Sequence, residues 1–491
     1  MLFRSLRHLK THTKLALLIV IAAAARMLMA SLLNLGDDEA LYWTWAKHPA
    51  ACYYDHPGMV AWLIALSTRL LGDTALAVRL PTILLGAVST GLMYALGRRL
   101  FSEKAGWLAA LAFTLTPLFA LGSFLVASDA PLGVFWLLTA LAVAHATMFR
   151  KRWLLVAAGA LAGLALDSKY TAILLVVSAL LYLATSRETR REFSRKELYL
   201  AALFAAAVFL PVFLWNANNG WESFRFNLQG RHGAGAPTAK WFPQLLGAEL
   251  LALSPLLLGA LAAAILRLGS LRNSSARYRL LFWFSFPTLA LFWGASSFAR
   301  ILPHWPAAGY LTLIIAAAAL WSGSGGRKAR KWWPGAVLGT AAVFTLLLHT
   351  QAFWPVLPLP PGDDNTNHLH GWEKVVPVVR GEMRAIEAGG GRALLFADRY
   401  QFAAQLAWNM KEPRRSFSLN PARDQFDFWM AGENLIGASG VLVWEEDWDI
   451  KPEVLEAFRH TEEVARIPVK RRGKLVRTFH VVRCMDLERI P

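Results

Sequence analysis

Apolar stretches of close to twenty residues recur through the first 355 positions of this 491-residue chain, separated by short polar breaks. That length matches what a helix needs to cross a hydrocarbon core. A soluble core has no use for so many spanning-length runs, so the chain reads as a polytopic α-helical membrane protein. Spans are expected at roughly 15–35, 77–97, 106–122, 130–149, 153–167, 170–185, 198–215, 244–266, 280–296, 303–321 and 333–354, about eleven in all. The first follows a basic leader with Arg4, Arg7, Lys10 and Lys14. It is long for the apolar part of a signal peptide and reads as an uncleaved helix.

A net charge of +18 invites a nucleic-acid partner, but the positions of the basic residues argue against one. They form short clusters in alternate loops: Arg98, Arg99 and Lys104; Arg150, Lys151 and Arg152; Arg187, Arg190, Arg191, Arg195 and Lys196. Arg267, Arg272, Arg277 and Arg279, then Arg327, Lys328, Arg330 and Lys331, continue the series. Positive-inside bias therefore sets the N-terminus in the cytoplasm and the C-terminal tail outside, with membrane lipids as the partner of the charge. Cys52 and Cys484, the only cysteines, could pair only if the tail folds back over the first loop; the alternative is two buried thiols.

With that orientation the unusual polar motifs share the outer face, which suggests one extracytoplasmic cavity at the helix ends. The richest lie in the first outer loop, 36–76: Asp37-Asp38-Glu39 and Tyr54-Asp55-His56-Pro57. Ionisable groups are costly at a membrane helix end unless they serve a site. The triple carboxylate reads either as a helix cap or as the source of a general base. Asp55 and His56 suit a divalent cation or a structural hydrogen bond. Asp129 is a cap or a second catalytic carboxylate; Lys169 is a snorkelling lysine or a point charge on a lipid phosphate. Arg225, Arg231 and His232 stand near Trp215, Asn216 and Trp221, and His304 lies between two prolines beside Trp305. Amphipathic helices near 39–47 and 59–71 are expected to lie in the interface.

Composition changes after Trp354, where a Pro-rich linker over 355–370 leads to a mixed domain at 371–491. Strands are expected at 393–397 and 441–444, helices at 372–388 and 399–410, and a hairpin of 463–468 with 475–483 around Arg472-Gly473. That is a small α/β domain outside the membrane. The preceding 1–354 form the transmembrane domain, and no nucleotide-binding glycine loop or zinc-type cysteine pair appears.

Positions 35–310 carry in order Asp38-Glu39-Ala40, Tyr42-Trp43, Tyr54-Asp55-His56-Pro57, Arg79-Leu80-Pro81, Ser128-Asp129-Ala130-Pro131, Ser168-Lys169-Tyr170-Thr171 and His304-Trp305-Pro306. The series resembles bacterial GT-C glycosyltransferases, and is similar in particular to the branch of protein O-mannosyltransferases and lipid A aminoarabinose transferases. The tail, with Phe396-Ala397-Asp398-Arg399-Tyr400 and Gln425-Phe426-Asp427-Phe428-Trp429, looks like the accessory domain of that branch.

The resemblance implies transfer of a sugar from a polyprenyl-phosphate carrier, with inversion, outside the bacterial cytoplasmic membrane and without a nucleotide cofactor. The acceptor it implies is lipid A or lipopolysaccharide, another envelope glycan, or a protein. By the same resemblance Asp38 is the base, Glu39 its partner and Asp129 the second acid. Lys169, Arg79, Arg231, Tyr54 and His304 would bind the donor phosphate or substrate. Asp55-His56 matches a glutamate-lysine pair near metal and phosphate. Histidine in place of that lysine favours a metal role, with a divalent metal cation as an optional cofactor. Two rivals come from other classes. A flippase of a lipid-linked molecule would favour charges midway through spans and broken helices; a non-catalytic assembly subunit would use its tail to recruit partners.

Overall fold

The computed structural model describes residues 10–231, 237–323 and 330–491. Its helices begin with α1 (Thr11–Leu32), α2 (Asp37–Lys47), α3 (Met59–Leu71), α4 (Ala75–Leu100), α5 (Glu103–Leu115), α6 (Pro117–Gly122), α7 (Asp129–Met148) and α8 (Leu154–Ser168). They continue with α9 (Ile173–Ala184), α10 (Lys196–Asn218), α11 (Trp241–Leu253), α12 (Pro255–Leu271), α13 (Ala276–Ala295), α14 (Ala307–Trp321) and α15 (Trp333–Phe353). The tail adds α16 (Trp372–Ala388), β1 (Ala393–Ala397), α17 (Tyr400–Met410), β2 (Ser416–Ser418) and α18 (Gln425–Met430). It ends with β3 (Ser439–Glu445), β4 (Phe458–Arg471) and β5 (Lys474–Leu487).

The protein is a multi-pass membrane protein. Among the described residues five helices, α1, α4, α7, α10 and α15, are long and apolar enough to cross a bilayer, and two bent pairs raise the number to seven. The other expected windows are also helical, in shorter or more polar helices. One expectation needs correction: the window 244–266 is not a single straight span, because α11 and α12 meet at 107°. Ser254 sits at φ +70° between them. Pro255 has no amide hydrogen to continue the helix and disfavours helical backbone in the residue before it.

Two compact units emerge: one holds residues up to Met29, Asp55–Val60 and Arg79–Leu348; the other holds Ala30–Tyr54, Ala61–Val78 and His349–Pro491. In the first, α14 is buried from Ala307 through Ala319 and forms the axis of the helical core, as a helix apolar on every side must. Helices α8 and α10 touch backbone to backbone. A Cβ on Gly159 would lie 2.1 Å from Ala201 O, so only glycine fits there.

The second unit is built on a five-stranded sheet of order β2-β1-β3-β5-β4. Strands β1, β2 and β3 are parallel, and β5 runs antiparallel to both β3 and β4. The β4–β5 hairpin turns at Arg472 and Gly473, both at positive φ, where the twist of paired strands favours such turns. Trp372 anchors α16 on the sheet, its ring 4.9 Å from that of Phe479 and fully buried. The buried Arg477 meets Glu445 through two bonds of 2.7 and 2.8 Å. Stretch 355–370 is an ordered strap rather than a loose tether: Gln351 accepts from Val356 N and Leu357 N, and donates to Asp364 Oδ2 at 2.7 Å. Both cysteines are buried free thiols, so the pairing option is not realised.

Helix α2 is also not held as expected. Residues Glu39–Ala46 are all buried, so protein packing rather than headgroups holds it.

Candidate functional site

Within the second unit the tail grips the acidic helix of the first loop. Gln405 on α17 donates to Leu35 O at 3.0 Å and to Asp37 Oδ1 at 2.9 Å. Trp408 Nε1 donates to Asn34 Oδ1 at 2.8 Å, and Asn34 Nδ2 donates to Asn409 Oδ1 at 2.9 Å. Trp43 packs edge-on against Trp408, with ring centroids 5.1 Å apart. His368 Nδ1 lies 3.2 Å from Asp37 Oδ2.

This arrangement sorts the three carboxylates. Glu39 is buried and reaches back to accept from Gly36 N at 2.9 Å, the capping role of an acid at the third helical position. Asp37 is held by Gln405 and His368. Asp38 alone of the three is exposed. Tyr54, on the same loop, donates its backbone N–H to Gln425 Oε1 at 2.7 Å, so α18 steadies the chain just before Asp55. Next to it His48 stacks on Trp429 at 4.3 Å, and burial lowers its pKa from the usual imidazole value.

Gln405 gives a direct test of this grip. Gln405→Ala is expected to cost about 1–3 kcal/mol of stability, since it leaves Leu35 O and Asp37 without a buried donor. Transfer activity should fall with it while donor-lipid binding holds. A lowered melting temperature with unchanged turnover would reduce Gln405 to a structural tie.

The first unit holds the remaining motifs. Asp129 opens α7, and both of its oxygens accept from Lys169 Nζ, at 2.8 and 2.9 Å, with side chains 18% and 7% exposed. Lys169 stands in extended backbone where α8 ends, which turns its side chain out of the helical path. Next to it Tyr170 OH meets Ser223 Oγ at 2.8 Å, and Asn216 Nδ2 lies 3.4 Å from the same hydroxyl. Asn227 donates to Asp55 O and to Ser223 O, both at 2.9 Å, so the 216–227 segment ties the Asp55-His56 motif to the Lys169-Tyr170 turn.

Arg79 is fully buried, its guanidinium 4.8 Å above the ring of Phe124. His304 is partly exposed, and its carbonyl accepts from Ala307 N at the start of α14. Arg231 ends the π-helical turn Phe226–Arg231, but its side chain, like all of His232, lies outside the described residues. No group of three or more His, Cys, Asp or Glu side chains among the described residues is placed to hold a metal ion. Asp55 and His56 therefore bring at most two such ligands, and no step below runs through a metal.

Two acids escaped the sequence reading. Asp167 on α8 is buried, and its Oδ1 has no hydrogen-bond partner among the described residues. Glu249 on α11 is fully buried; Tyr310 OH reaches its Oε1 at 3.2 Å and accepts from Trp293 Nε1 at 2.9 Å. The signal was available, since a carboxylate inside an apolar run is uncommon without a role.

Residues 55–215 match the protein family described as dolichyl-phosphate-mannose-protein mannosyltransferase, a stretch that includes Asp55, His56, Arg79, Asp129 and Lys169. Over nearly its whole length the chain shares a fold with ArnT from Cupriavidus metallidurans. The match to the apo structure has a TM-score of 0.64 at 14% identity and covers 96% of this chain and 98% of that one. The structure bound to undecaprenyl phosphate gives 0.64 at 15% identity, covering 95% and 97%. An oligosaccharyltransferase of Archaeoglobus fulgidus has the related fold at a TM-score of 0.52 and 13% identity, covering 88% of this chain and 69% of that one. In fold, and over part of its sequence, the chain is thus similar to membrane glycosyltransferases. Among curated proteins it is similar to lipid A galacturonosyltransferase RgtD of Rhizobium johnstonii (strain DSM 114642 / LMG 32736 / 3841), 27% identical over 386 residues, or 76% of this chain and 77% of RgtD.

Proposed function

We propose that this enzyme moves a sugar from a polyprenyl-phosphate carrier onto lipid A at the outer side of the cytoplasmic membrane, with inversion. The acceptor follows the similarity to RgtD, and the carrier follows the ArnT fold with its bound undecaprenyl phosphate. The observation that carries the mechanism is the exposed Asp38 on a helix whose neighbouring acids are engaged in capping and bracing.

Asp38 takes the proton from the acceptor hydroxyl as its oxygen attacks the anomeric carbon. The new glycosidic C–O bond forms as the bond to the phosphate oxygen breaks, and the phosphate leaves with the electron pair. Positive charge near that oxygen stabilises the departing group. Lys169 is the cation we assign to it, with Asp129 fixing its amine. Arg79, Tyr54, His304 and Arg231 complete the substrate-binding set, and Glu39 supports the base through its cap. Asp55 and His56 would contribute two ligands if a divalent cation binds.

The topology belongs to the same proposal: about eleven spans over 1–354, N-terminus in the cytoplasm, and the 371–491 domain outside after the 355–370 strap. Reporter fusions after Lys196 and after Arg330 should read as cytoplasmic and one after Gly362 as external. A cytoplasmic signal from the last would separate the acidic helix from a carrier-linked sugar outside. The transfer itself is checked by mass spectrometry of lipid A from a deletion strain and its complemented parent. Loss of one sugar residue from lipid A is the expected result; an unchanged lipid A with an altered glycan or protein would name a different acceptor.

A further inference from the structure

The C-terminal end of α2 gathers positive charge at a place that the chain ties to the membrane surface. Helix α4 is long and apolar enough to cross a bilayer, and its first residue, Ala75, follows Asp73 by two positions. Its 26 residues run about 39 Å, longer than the roughly 30 Å hydrocarbon core, so Asp73 stands at headgroup level. Before it, α3 leaves Leu66, Leu70 and Leu71 exposed at 61%, 73% and 54%. Leu66 and Leu70 are four positions apart and share a face, the kind of face an interfacial helix turns to acyl chains.

Charged groups meet beside those leucines. Asp73 Oδ1 accepts from Trp43 Nε1 at 2.8 Å and lies 2.7 Å from Lys47 Nζ. Lys411 follows the last residue of α17 at φ +60° and sets its amine over the rings of Trp408 and Trp43. Lys47 Nζ lies 5.4 Å from the centroid of the same Trp43 ring. Burial of the Lys411 amine against the indoles lowers its pKa to about 8, Asp73 opposing the shift and Lys47 adding to it. The residue as a whole stays exposed, so an anion can reach it. Two ammonium groups thus share one carboxylate. Glu412 faces Arg415 instead, and Arg414 adds a positive charge that acts on His48, next to Lys47. Arg69 is exposed on α3 and is a further cation.

We propose that Lys47 and Lys411 bind the phosphate of an anionic glycerophospholipid from the leaflet at which α4 begins, with its acyl chains over Leu66 and Leu70. The phosphate supplies the negative charge that one shared carboxylate leaves short, and basic groups at a membrane surface attract anionic lipids for this reason. Lys411 belongs to the tail domain and Lys47 to the first loop, so one headgroup holds both to the bilayer beside the grip of α17 on α2. Asp38 lies nine residues from Lys47, about 14 Å along the helix, so this lipid is a docking partner and not the sugar acceptor. The site does not depend on the transfer reading.

The test places the full-length protein, labelled with bimane at Leu71→Cys, in phosphatidylcholine nanodiscs. Equal minor fractions of acyl-brominated phosphatidylglycerol or acyl-brominated phosphatidylcholine, which quench bimane on contact, are then supplied in parallel. Cys52 and Cys484 are buried, and protein without the Leu71→Cys change sets the background. Phosphatidylglycerol should be enriched at the label about fivefold over phosphatidylcholine, and raised salt should lower that preference. Lys411→Gln and Lys47→Gln should each lose most of it, and the double variant all of it, with melting temperatures near that of the parent. Equal quenching by the two lipids would overturn the proposal, as would a preference that survives the double variant. Displacement by lipid A at a fraction well below that needed of unbrominated phosphatidylglycerol would overturn it too, by making the acceptor glycolipid the occupant. Asp38→Asn should keep the full preference, so a failure of the transfer reading and a failure of this site are told apart.

Discussion

Asp38→Asn is expected to slow sugar transfer by roughly 10²–10⁴-fold, the usual contribution of a positioned general base. Expression, melting temperature and donor-lipid binding should stay near wild type. Asparagine and aspartate cap helices about equally well, so a purely structural Asp38 predicts nearly normal turnover. Glu39→Gln and Asp37→Asn are the necessary companions, because neighbouring carboxylates can share a proton. Glu39→Gln keeps an acceptor for Gly36 N and should lose little. Asp37→Asn keeps an acceptor for Gln405 and should lose activity only through the brace. A large loss in either neighbour, with Asp38→Asn active, would show that another carboxylate is the base.

Lys169→Ala carries the second large effect. It leaves Asp129, 18% exposed, as a carboxylate without its cation, which typically costs about 3–5 kcal/mol. Lys169→Arg keeps the charge and should lose less. The ion pair therefore makes a single alanine variant ambiguous, and the double variant Lys169→Met with Asp129→Asn resolves it. Removing both charges should restore much of the stability, because a buried pair replaced as a whole is often neutral. Donor-lipid affinity should nevertheless stay at least about tenfold below wild type if the amine contacts the phosphate. Full recovery of donor binding in the double variant would leave Lys169 with the structural task of pairing Asp129.

Local elements of the tail were largely legible. Helix α16 and strand β1 fall where apolar spacing and turn residues put them, and the Arg472-Gly473 turn announces its hairpin. Strand β2 did not announce itself, because three residues, Ser416–Ser418, are too few to show alternation. The break between α11 and α12 was signalled by Pro255, yet the continuous apolar composition on both sides hid the bend.

The candidate site divides along the same line. Motif types and order were readable, because caps, bases and phosphate ligands draw on few residue types. Which carboxylate stays exposed was not, since Gln405 stands 368 positions from Asp37. The pairing of Lys169 with Asp129 bridges 40 positions and changes what the lysine's substitution means.

By itself the sequence determined that the chain crosses a membrane many times, that a mixed α/β domain follows, and that the unusual polar motifs sit at helix ends. Those properties rest on run length, residue type and short-range spacing, all of which are local. Only the tertiary structure decided that α17 grips the acidic helix, that Glu39 caps while Asp38 stays exposed, and that Lys169 is tied to Asp129. Each of these depends on two distant segments meeting, and the path that brings them together is set by packing across the whole unit rather than by any local pattern.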